Sequence, residues 1–308
     1  MDQNRGTYPF AVSIACVPGL GAKDDTVIAV TLFVLSGLAQ TLNDEMVHVP
    51  AGIFRMGCSA GDTLCQDDEG PQGGVPVNVP GFFIDRDETS VAQFRTCVEA
   101  GACERPFDYR RTHYCNYDAP GRDDYPVNCV NWNLAHRFCA WRGARLAWEA
   151  EWEKAARGGT LTPYWWGSIP ADCTRAVMDP GQPEQADTET DGCWRDLSWP
   201  RGRFAPNPFG LYDIIGGTSE WVANWYDQNA YSEHYAHGDL HGPSRGTQKV
   251  IKGGAWDEKH AAQRVSNRFS KPVTGNPDLY GSNGIRCAMD EAPWHRAVTR
   301  DDVPGSAE

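Results

Sequence analysis

The cysteines set the strongest constraint on how this chain can fold. There are eleven of them, and Cys16 stands apart in an unusual leader, so ten remain for the body of the chain. An even number in a loop-rich chain predicts a disulfide framework and an oxidising compartment. No Cys-x-x-Cys pair occurs, so a zinc ribbon is not expected. The close pairs Cys58/Cys65 and Cys97/Cys103 either form short disulfide loops or are simply neighbours.

The composition favours one domain with many loops. The 308 residues include 32 glycines, 21 prolines and 12 tryptophans, which is typical of irregular backbone held by large aromatic anchors. The formal net charge of −13 argues against a nucleic-acid partner, for which a basic patch is expected. The same charge suits a surface that attracts cations.

The first 44 residues differ from the rest and are interpreted as a leader. The apolar run from Val27 to Ala39 has the length of a signal-peptide core and is too short to span a bilayer comfortably, so no transmembrane anchor is expected. It lacks a basic flank, which predicts a degenerate or mis-started export signal; a buried strand or helix is the alternative. We expect the domain over residues 45–290, a polar tail over 291–308 and an extracytoplasmic location.

Local patterns predict short strands and three helices. Alternating apolar residues indicate strands on either side of the Pro50–Gly52 turn and one strand over 75–85, separated by a surface loop over 58–74. Helices are predicted over 88–101, with Thr89 or Ser90 as the N-cap, and over 131–143 and 148–157, each ending at glycine. Residues 160–210 are expected to be irregular.

Several ordered segments carry a resemblance to a known family. They are Pro50-Ala-Gly-Ile-Phe-Arg-Met-Gly57, Glu88-Thr-Ser-Val-Ala-Gln-Phe94, Pro126-Val-Asn-Cys-Val-Asn-Trp132, Glu149-Ala-Glu-Trp-Glu153, Gly253-Gly-Ala-Trp256 and Gly284-Ile-Arg-Cys287. In this order they resemble the formylglycine-generating enzyme (sulfatase-modifying factor) family. The resemblance implies an α+β fold, the sulfatase-modifying-factor variant of the C-type-lectin-like fold, with modest regular secondary structure.

A calcium site is predicted around a glycine pair. Asp213, Gly216, Thr218 and Glu220 lie within eight residues, and calcium takes six to eight oxygens from carboxylates and carbonyls. The resemblance implies the same ligands, by side chain at Asp213 and Glu220 and by carbonyl at Gly216 and Thr218. The alternative is that Glu220 pairs with an arginine and that Thr218 caps a helix.

The resemblance also implies a second calcium site, here at Asp191 with the carbonyls of Val177, Met178 and Cys193. An amide side chain is expected at position 177, and valine cannot replace it. A surface loop is therefore an equally good interpretation of this segment.

The oxidation chemistry of the resembled family does not carry over to this chain. That chemistry uses copper held by two thiolates, and the corresponding residues here are Glu258 and Gln263. Carboxylate and amide oxygens do not suit Cu(I), which prefers soft thiolates, so copper is not expected as a cofactor. For Cys139 and Cys287 the resemblance implies a disulfide rather than a catalytic role.

Three further groups are weaker candidates. His260 with Asp257 and Glu258 is a conceivable hard-metal site, although a solvated histidine is the simpler interpretation. His234, His237 and His241, with Asp239 between them, are interpreted as a surface loop. Arg264 and Arg268 lie four residues apart and either bind a carboxylate ligand or form structural ion pairs.

Two hypotheses follow. In the first, the protein is a calcium-supported binding or structural module whose cleft, lined by Trp256, Arg264, Arg268 and Tyr280, takes a protein, peptide or glycan ligand. In the second, it is an oxidoreductase that modifies a protein cysteine or another thiol through a non-standard metal site. The missing thiolates motivate the first hypothesis, and the family's general association with oxidation motivates the second.

Overall fold

Short strands joined by long loops form the framework of the protein in this computed structural model. The structure describes residues 45–107, 114–181, 191–195, 197–275 and 280–291, all within one compact unit, Leu42–Glu308. The predicted leader, and the tail beyond residue 291, lie outside the described residues. No helix in the described ranges has both the length and the apolar character needed to cross a membrane.

Within the described residues, ten strands form three small sheets. They are β1 (Met46–Val49), β2 (Gly52–Met56), β3 (Val75–Val79), β4 (Phe82–Asp85), β5 (Arg145–Leu146), β6 (Ser219–Trp225), β7 (Gln248–Lys252), β8 (Phe269–Pro272), β9 (Asn283–Gly284) and β10 (Cys287–Asp290). The sheet orders are β1-β4-β10-β5, β2-β3 and β8-β7-β6-β9. All pairs are antiparallel except β6 with β9.

The helices begin and end where side chains satisfy their free backbone groups. They are α1 (Val91–Glu99), α2 (Trp132–Trp141), α3 (Glu149–Arg157), α4 (Asp191–Trp194) and α5 (Ala230–Glu233). Ser90 and Gln93 form a capping box at the start of α1, because each side chain accepts the other residue's backbone N–H. Asn131 caps α2, and Gly158 ends α3 in the left-handed conformation with φ of 57°. The three predicted helices are confirmed.

The single strand predicted over 75–85 is wrong. The segment forms two strands in different sheets, β3 paired with β2, and β4 paired with β1 and β10. Pro80-Gly81 separates them, because proline has no N–H to donate to a ladder and glycine accommodates a sharp change of direction.

The loop over 58–74 is also more buried than predicted. Its Glu69 is fully buried and accepts hydrogen bonds from the guanidinium of Arg264 at 2.5 and 2.6 Å. A carboxylate is buried in this way when a charged partner satisfies it. This loop therefore helps to build the interior.

All ten cysteines in the described residues are paired. The disulfides are Cys58–Cys65, Cys97–Cys103, Cys115–Cys129, Cys139–Cys287 and Cys173–Cys193. The close pairs do form short loops, and the disulfide implied for Cys139 and Cys287 is present, joining α2 to β10. The framework predicted from cysteine number is confirmed.

Candidate functional site

A turn of two glycines lies where three loops meet. Gly216 and Gly217 have φ of 80° and 72°, in the left-handed region that favours glycine. The Gly216 N–H donates to the Gly253 carbonyl at 3.0 Å, and the Gly217 N–H donates to the Val177 carbonyl at 2.9 Å. A Cβ on Gly216 would lie 2.7 Å from the Val177 oxygen. These contacts leave no space for a side chain at Gly216.

Two buried carboxylates, Glu88 and Glu220, and the partly buried carboxylate of Asp213 lie around this turn. Asp213 precedes it with a φ of 47°, and its side chain accepts a hydrogen bond from the backbone N–H of Gly202. Glu220 lies on β6 and is fully buried. Glu88 reaches the turn from the start of α1, where its Oε1 accepts the backbone N–H of Thr218 at 2.9 Å and also its hydroxyl. Sequence reasoning missed Glu88 as a site residue, although it quoted the segment that Glu88 begins.

Negative charge exceeds positive charge in this group. Arg286 donates from Nε to Glu220 Oε1 at 2.8 Å, while Glu88 and Asp213 have no salt bridge among the described residues. Burial raises the pKa of Glu220 and Asp213, and burial with the charges of Asp213 and Glu220 raises that of Glu88 well above its usual range. Arg286 is the one guanidinium that forms a salt bridge with these carboxylates among the described residues, and the charge of Arg201, which donates to the Glu88 backbone carbonyl, also acts on Asp213.

The alternative interpretation, in which Glu220 pairs with an arginine and Thr218 caps a helix, is correct only for Glu220. Glu220 does pair with an arginine, Arg286. Thr218 does not cap a helix, because Ser219–Trp225 is a strand that pairs with β7 and β9. The pairing of Glu220 leaves ligand capacity, since a carboxylate has about four lone-pair sites.

The residues of the implied second calcium site are only partly described. Val177 and Met178 lie beside the glycine turn and α4, where their carbonyls accept the N–H groups of Gly217 and Cys193 at 2.9 and 2.8 Å. The side chain of Asp191 lies outside the described residues.

Glu258 and Gln263, which the resemblance implied to stand at the thiolate positions, lie in a region rich in unpaired polar atoms. Gln263 is buried, and its Nε2 donates to the carbonyls of Ala255 at 2.9 Å and Glu258 at 3.1 Å. Four buried side-chain atoms here have no hydrogen-bond partner in the described structure: Trp256 Nε1, Glu258 Oε2, Gln263 Oε1 and Asn283 Nδ2. We call these four residues the unpaired polar cluster.

Two ionisable groups in this region are perturbed. Burial, followed by the charge of Asp257, raises the pKa of Glu258 to about 7, and the charge of Lys271 opposes that shift. Burial lowers the pKa of Lys271, whose Nζ donates to Asn283 Oδ1 at 2.7 Å. Perturbed ionisable groups beside unpaired polar atoms are typical of functional sites.

The four residues predicted to line one cleft are not equally exposed to one. Arg268 lines a surface pocket with Asp68 and Tyr226, whereas Arg264 and Tyr280 are buried. Arg264 is buried against Glu69 and Asp62, and Arg268 is buried against Glu149 with N–O distances of 2.6 and 3.0 Å. The Tyr280 ring is fully buried, and its hydroxyl donates to the Pro272 carbonyl at 3.0 Å. The polar groups of all three residues are used by the fold, and their role in ligand binding stays a prediction. The ion-pair interpretation of the arginines is correct.

The histidine candidates separate into an exposed residue and a clustered one. His260 is exposed, and no convergent metal-ligand group with Asp257 and Glu258 occurs in the part of the chain that the structure describes. His234 instead meets Asp239 at 2.8 Å and Asp227 at 3.7 Å. Sequence reasoning noticed the spacing of the histidines and missed Asp227.

Comparisons with known proteins identify the family and the fold of this chain. A family model described as a sulfatase-modifying factor enzyme 1-like domain matches residues 34–291. A formylglycine-generating enzyme of Thermomonospora curvata is 32% identical over 293 residues, covering 82% of this chain and 95% of that protein. A mouse protein described as inactive C-alpha-formylglycine-generating enzyme 2 is 30% identical over 291 residues, covering 82% and 87%. Among solved structures, PvdO from Pseudomonas aeruginosa superposes with a TM-score of 0.65 at 25% identity, covering 80% and 94%.

Proposed function

This chain belongs to the sulfatase-modifying factor family, and within that family we propose that it is a binding module without the copper-dithiolate oxidase activity. One observation carries the proposal: all ten cysteines in the described residues are in disulfides, so none of them offers a thiolate. The resemblance to the family assigns the two thiolate positions to Glu258 and Gln263, which supports the same proposal. Cu(I) favours soft thiolate ligands, which carboxylate and amide oxygens do not replace. The five disulfides support an extracytoplasmic location.

The unpaired polar cluster is the proposed ligand-binding region. Trp256 Nε1 and Asn283 Nδ2 are free donors, while Gln263 Oε1 and, when ionised, Glu258 Oε2 are free acceptors. Peptide amides and sugar hydroxyls offer both a donor and an acceptor, so either would satisfy such a set. Leaving buried polar groups without partners is unfavourable, and a ligand that pairs them would gain affinity. A peptide or glycan ligand is therefore the class that we propose.

The loss of oxidase activity is tested with a sulfatase-type peptide that contains Cys-x-Pro-x-Arg. The protein is supplied with copper and oxygen, and peptide mass is followed, with the Thermomonospora enzyme as the positive control. We expect the control to convert the cysteine to an aldehyde and this protein to leave it unchanged. Aldehyde formation would contradict the proposal and favour an oxidoreductase with a non-standard metal site.

The proposed binding region is tested on peptide and glycan arrays. Trp256→Phe keeps an aromatic ring and removes the free Nε1 donor, so binding to any hit should weaken by roughly the 1–3 kcal/mol of a lost buried partner. Trp166→Phe is the matched control, because that tryptophan bonds Ile169 on another loop. Equal binding by both variants would place the ligand elsewhere.

We also propose calcium at Asp213, Gly216, Thr218 and Glu220, with Glu88 as a further acidic ligand. The excess of buried carboxylates over salt-bridged arginine supports a cation there, and the donor set of oxygens suits a hard one. Calcium would offset the charge and hold the glycine turn to α1. The second site at Asp191 stays a prediction.

Elemental analysis after dialysis against metal-free buffer tests the calcium proposal. A single calcium ion per chain, with neither copper nor iron, is the expected result. Stoichiometric copper or iron would contradict the binding-module proposal, and a protein free of all metals would contradict only the calcium site.

A further inference from the structure

A second group of possible metal ligands lies on the loop around α5, apart from the residues proposed to bind calcium. One ligand atom from each of Asp227, Glu233 and His234 lies within 4.8 Å of the other two. Asp227 and His234 are partly buried, whereas Glu233 is exposed, so an ion has access from solvent.

The orientation of the His234 ring singles out Nε2 as a ligand atom. Its Nδ1 lies 2.8 Å from Asp239 Oδ2, and the other oxygen of Asp239 accepts the backbone N–H of His241 at 3.0 Å. A carboxylate fixed in this way holds the proton of a neutral imidazole on Nδ1. Nε2 is then the ring nitrogen with a free lone pair, and it lies 3.7 Å from Asp227 Oδ2. Histidines that bind metals usually have such a carboxylate or carbonyl behind them.

The contact between Nε2 and Asp227 suits an intervening ion. Nε2 lies 3.7 Å from Asp227 Oδ2, which is too long for a hydrogen bond. Two ligands of a tetrahedral zinc ion, each at about 2.0–2.1 Å, lie about 3.3 Å apart, so a small adjustment would bring both atoms onto one ion.

The charges of Asp227, Glu233 and His234 also favour a bound cation. Glu233 makes no salt bridge in the described part of the chain, and the one salt-bridge partner of the Asp227 side chain there is His234. Among the described residues, no lysine or arginine forms a salt bridge with these two carboxylates, although Arg268 donates to the backbone carbonyl of Asp227 at 3.1 Å. One nitrogen and two carboxylate ligands are typical of zinc and related divalent ions, whereas calcium takes oxygen ligands.

We propose that Asp227, Glu233 and His234 form a binding site for a divalent transition-metal ion such as zinc, with Asp239 as the residue that positions His234. Ion binding would tie the two ends of the 227–234 segment across α5. This site is separate in sequence and ligand type from the proposed calcium site, so either can fail alone.

The test is calorimetric titration of the full chain with zinc, after chelation and in the presence of excess calcium. We expect one zinc ion per chain, and a dissociation constant at least tenfold higher in His234→Ala. Asp239→Asn should raise it by about 10–100-fold, the range for a partner that orients a metal-bound histidine. His237→Ala is the matched control, since His237 is exposed on the same loop and lies outside the group, and its dissociation constant should equal that of the parent.

A second measurement, the visible absorption of bound cobalt, tests the same site with a different readout. Cobalt replaces zinc, and its visible absorption reports whether a nitrogen ligand enters the coordination sphere; it should be lost in His234→Ala and weakened in Asp227→Asn. Near-ultraviolet circular dichroism confirms that each variant is folded. Absence of zinc binding to the parent, or equal loss in His237→Ala and His234→Ala, would overturn the proposal.

Discussion

Two groups of polar residues differ in whether their hydrogen-bond partners are present. Arg264 and Arg268 each have a buried carboxylate within 2.6 Å. The unpaired polar cluster, formed by Trp256, Glu258 and Gln263 of the same segment with Asn283 of β9, contains four buried atoms without a partner among the described residues. Side chains with every hydrogen bond made hold the fold together, whereas those with hydrogen bonds left unmade are available to a ligand.

The paired group extends through the protein interior. Glu149 on α3 accepts from Arg268 and from the hydroxyl of Tyr235 at 2.6 Å, and Glu153 lies 3.3 Å from the ammonium of Lys252. A buried pair of this kind adds little compared with apolar side chains of the same shape. Removing one member, however, leaves the other charge buried without compensation. The paired group should therefore be the more sensitive to mutation.

The largest expected effect is that of Arg268→Ala. The substitution removes the guanidinium that pairs with Glu149 and leaves this carboxylate buried. The free energy of unfolding should therefore fall by about 3–5 kcal/mol. The measurement is urea unfolding with the disulfides intact. Arg95→Ala is the control, because its ion pair with Asp123 is exposed and should be worth about 0–1 kcal/mol. Similar losses in both variants would mean that burial does not distinguish the two kinds of pair.

A smaller effect on stability is expected from calcium binding at the proposed calcium site, where the carboxylates of Glu88, Asp213 and Glu220 outnumber the one arginine that forms a salt bridge with them in the described part of the chain. At free calcium 100 times its dissociation constant, binding to the folded state would stabilise the parent by about 2.7 kcal/mol. Glu88→Gln removes one charge and keeps an oxygen that accepts from Thr218. In chelator the variant should be at least as stable as the parent, since it relieves repulsion with Asp213 and Glu220.

Thermal unfolding of the parent and of Glu88→Gln, each with and without calcium, tests this prediction. The variant should gain less from calcium than the parent, by about 1.4 kcal/mol if its affinity falls tenfold. Magnesium is the control ion, since it requires a tighter octahedral geometry and keeps its waters. A variant that is less stable than the parent in chelator, yet gains as much from calcium, would show that Glu88 is structural only.

The sequence predicted the parts of the fold that depend on local signals. Ser90 with Gln93, Asn131 and Gly158 mark helix ends within a few residues of the helices they cap, and the structure confirms them. The ordered segments identified the sulfatase-modifying-factor variant of the C-type-lectin-like fold, which is also confirmed. The Pro80-Gly81 pair is a local signal that breaks the segment into β3 and β4, so the single strand predicted over 75–85 disregards it.

The roles of buried charges could not be read in this way. Arg264 finds its carboxylate 195 residues away at Glu69, and Thr218 meets Glu88 at a separation of 130 residues. Such partners depend on the completed fold, so an arginine near a motif appears equally suited to a ligand or to a salt bridge. Asp227 is different, because it lies only seven residues before His234, so its contact with that histidine is a local feature of the chain.

The smallest expected effect concerns the pH dependence set by Glu258. In the folded protein its pKa is about 7, against an ordinary value of 4.5. The folded state therefore holds this proton where the unfolded chain has released it, so stability falls as pH rises from about 4.5 to 7 and the loss is complete above that range. Glu258→Gln cannot ionise and escapes this loss. Above pH 7 the variant should exceed the parent in free energy of unfolding by about 1–2 kcal/mol, a value reduced for partial exposure.

Urea unfolding of both proteins at pH 4.5 and pH 8 measures this difference, which should be near zero at the lower pH and appear at the higher one. Other titrating groups are common to both proteins and cancel in the comparison. Glu104→Gln is the matched control, because Glu104 is exposed and its loss should leave the pH dependence unchanged. If the two variants behave alike, Glu258 is paired in solution, and the contrast between the paired arginines and the unpaired polar cluster does not hold at this residue.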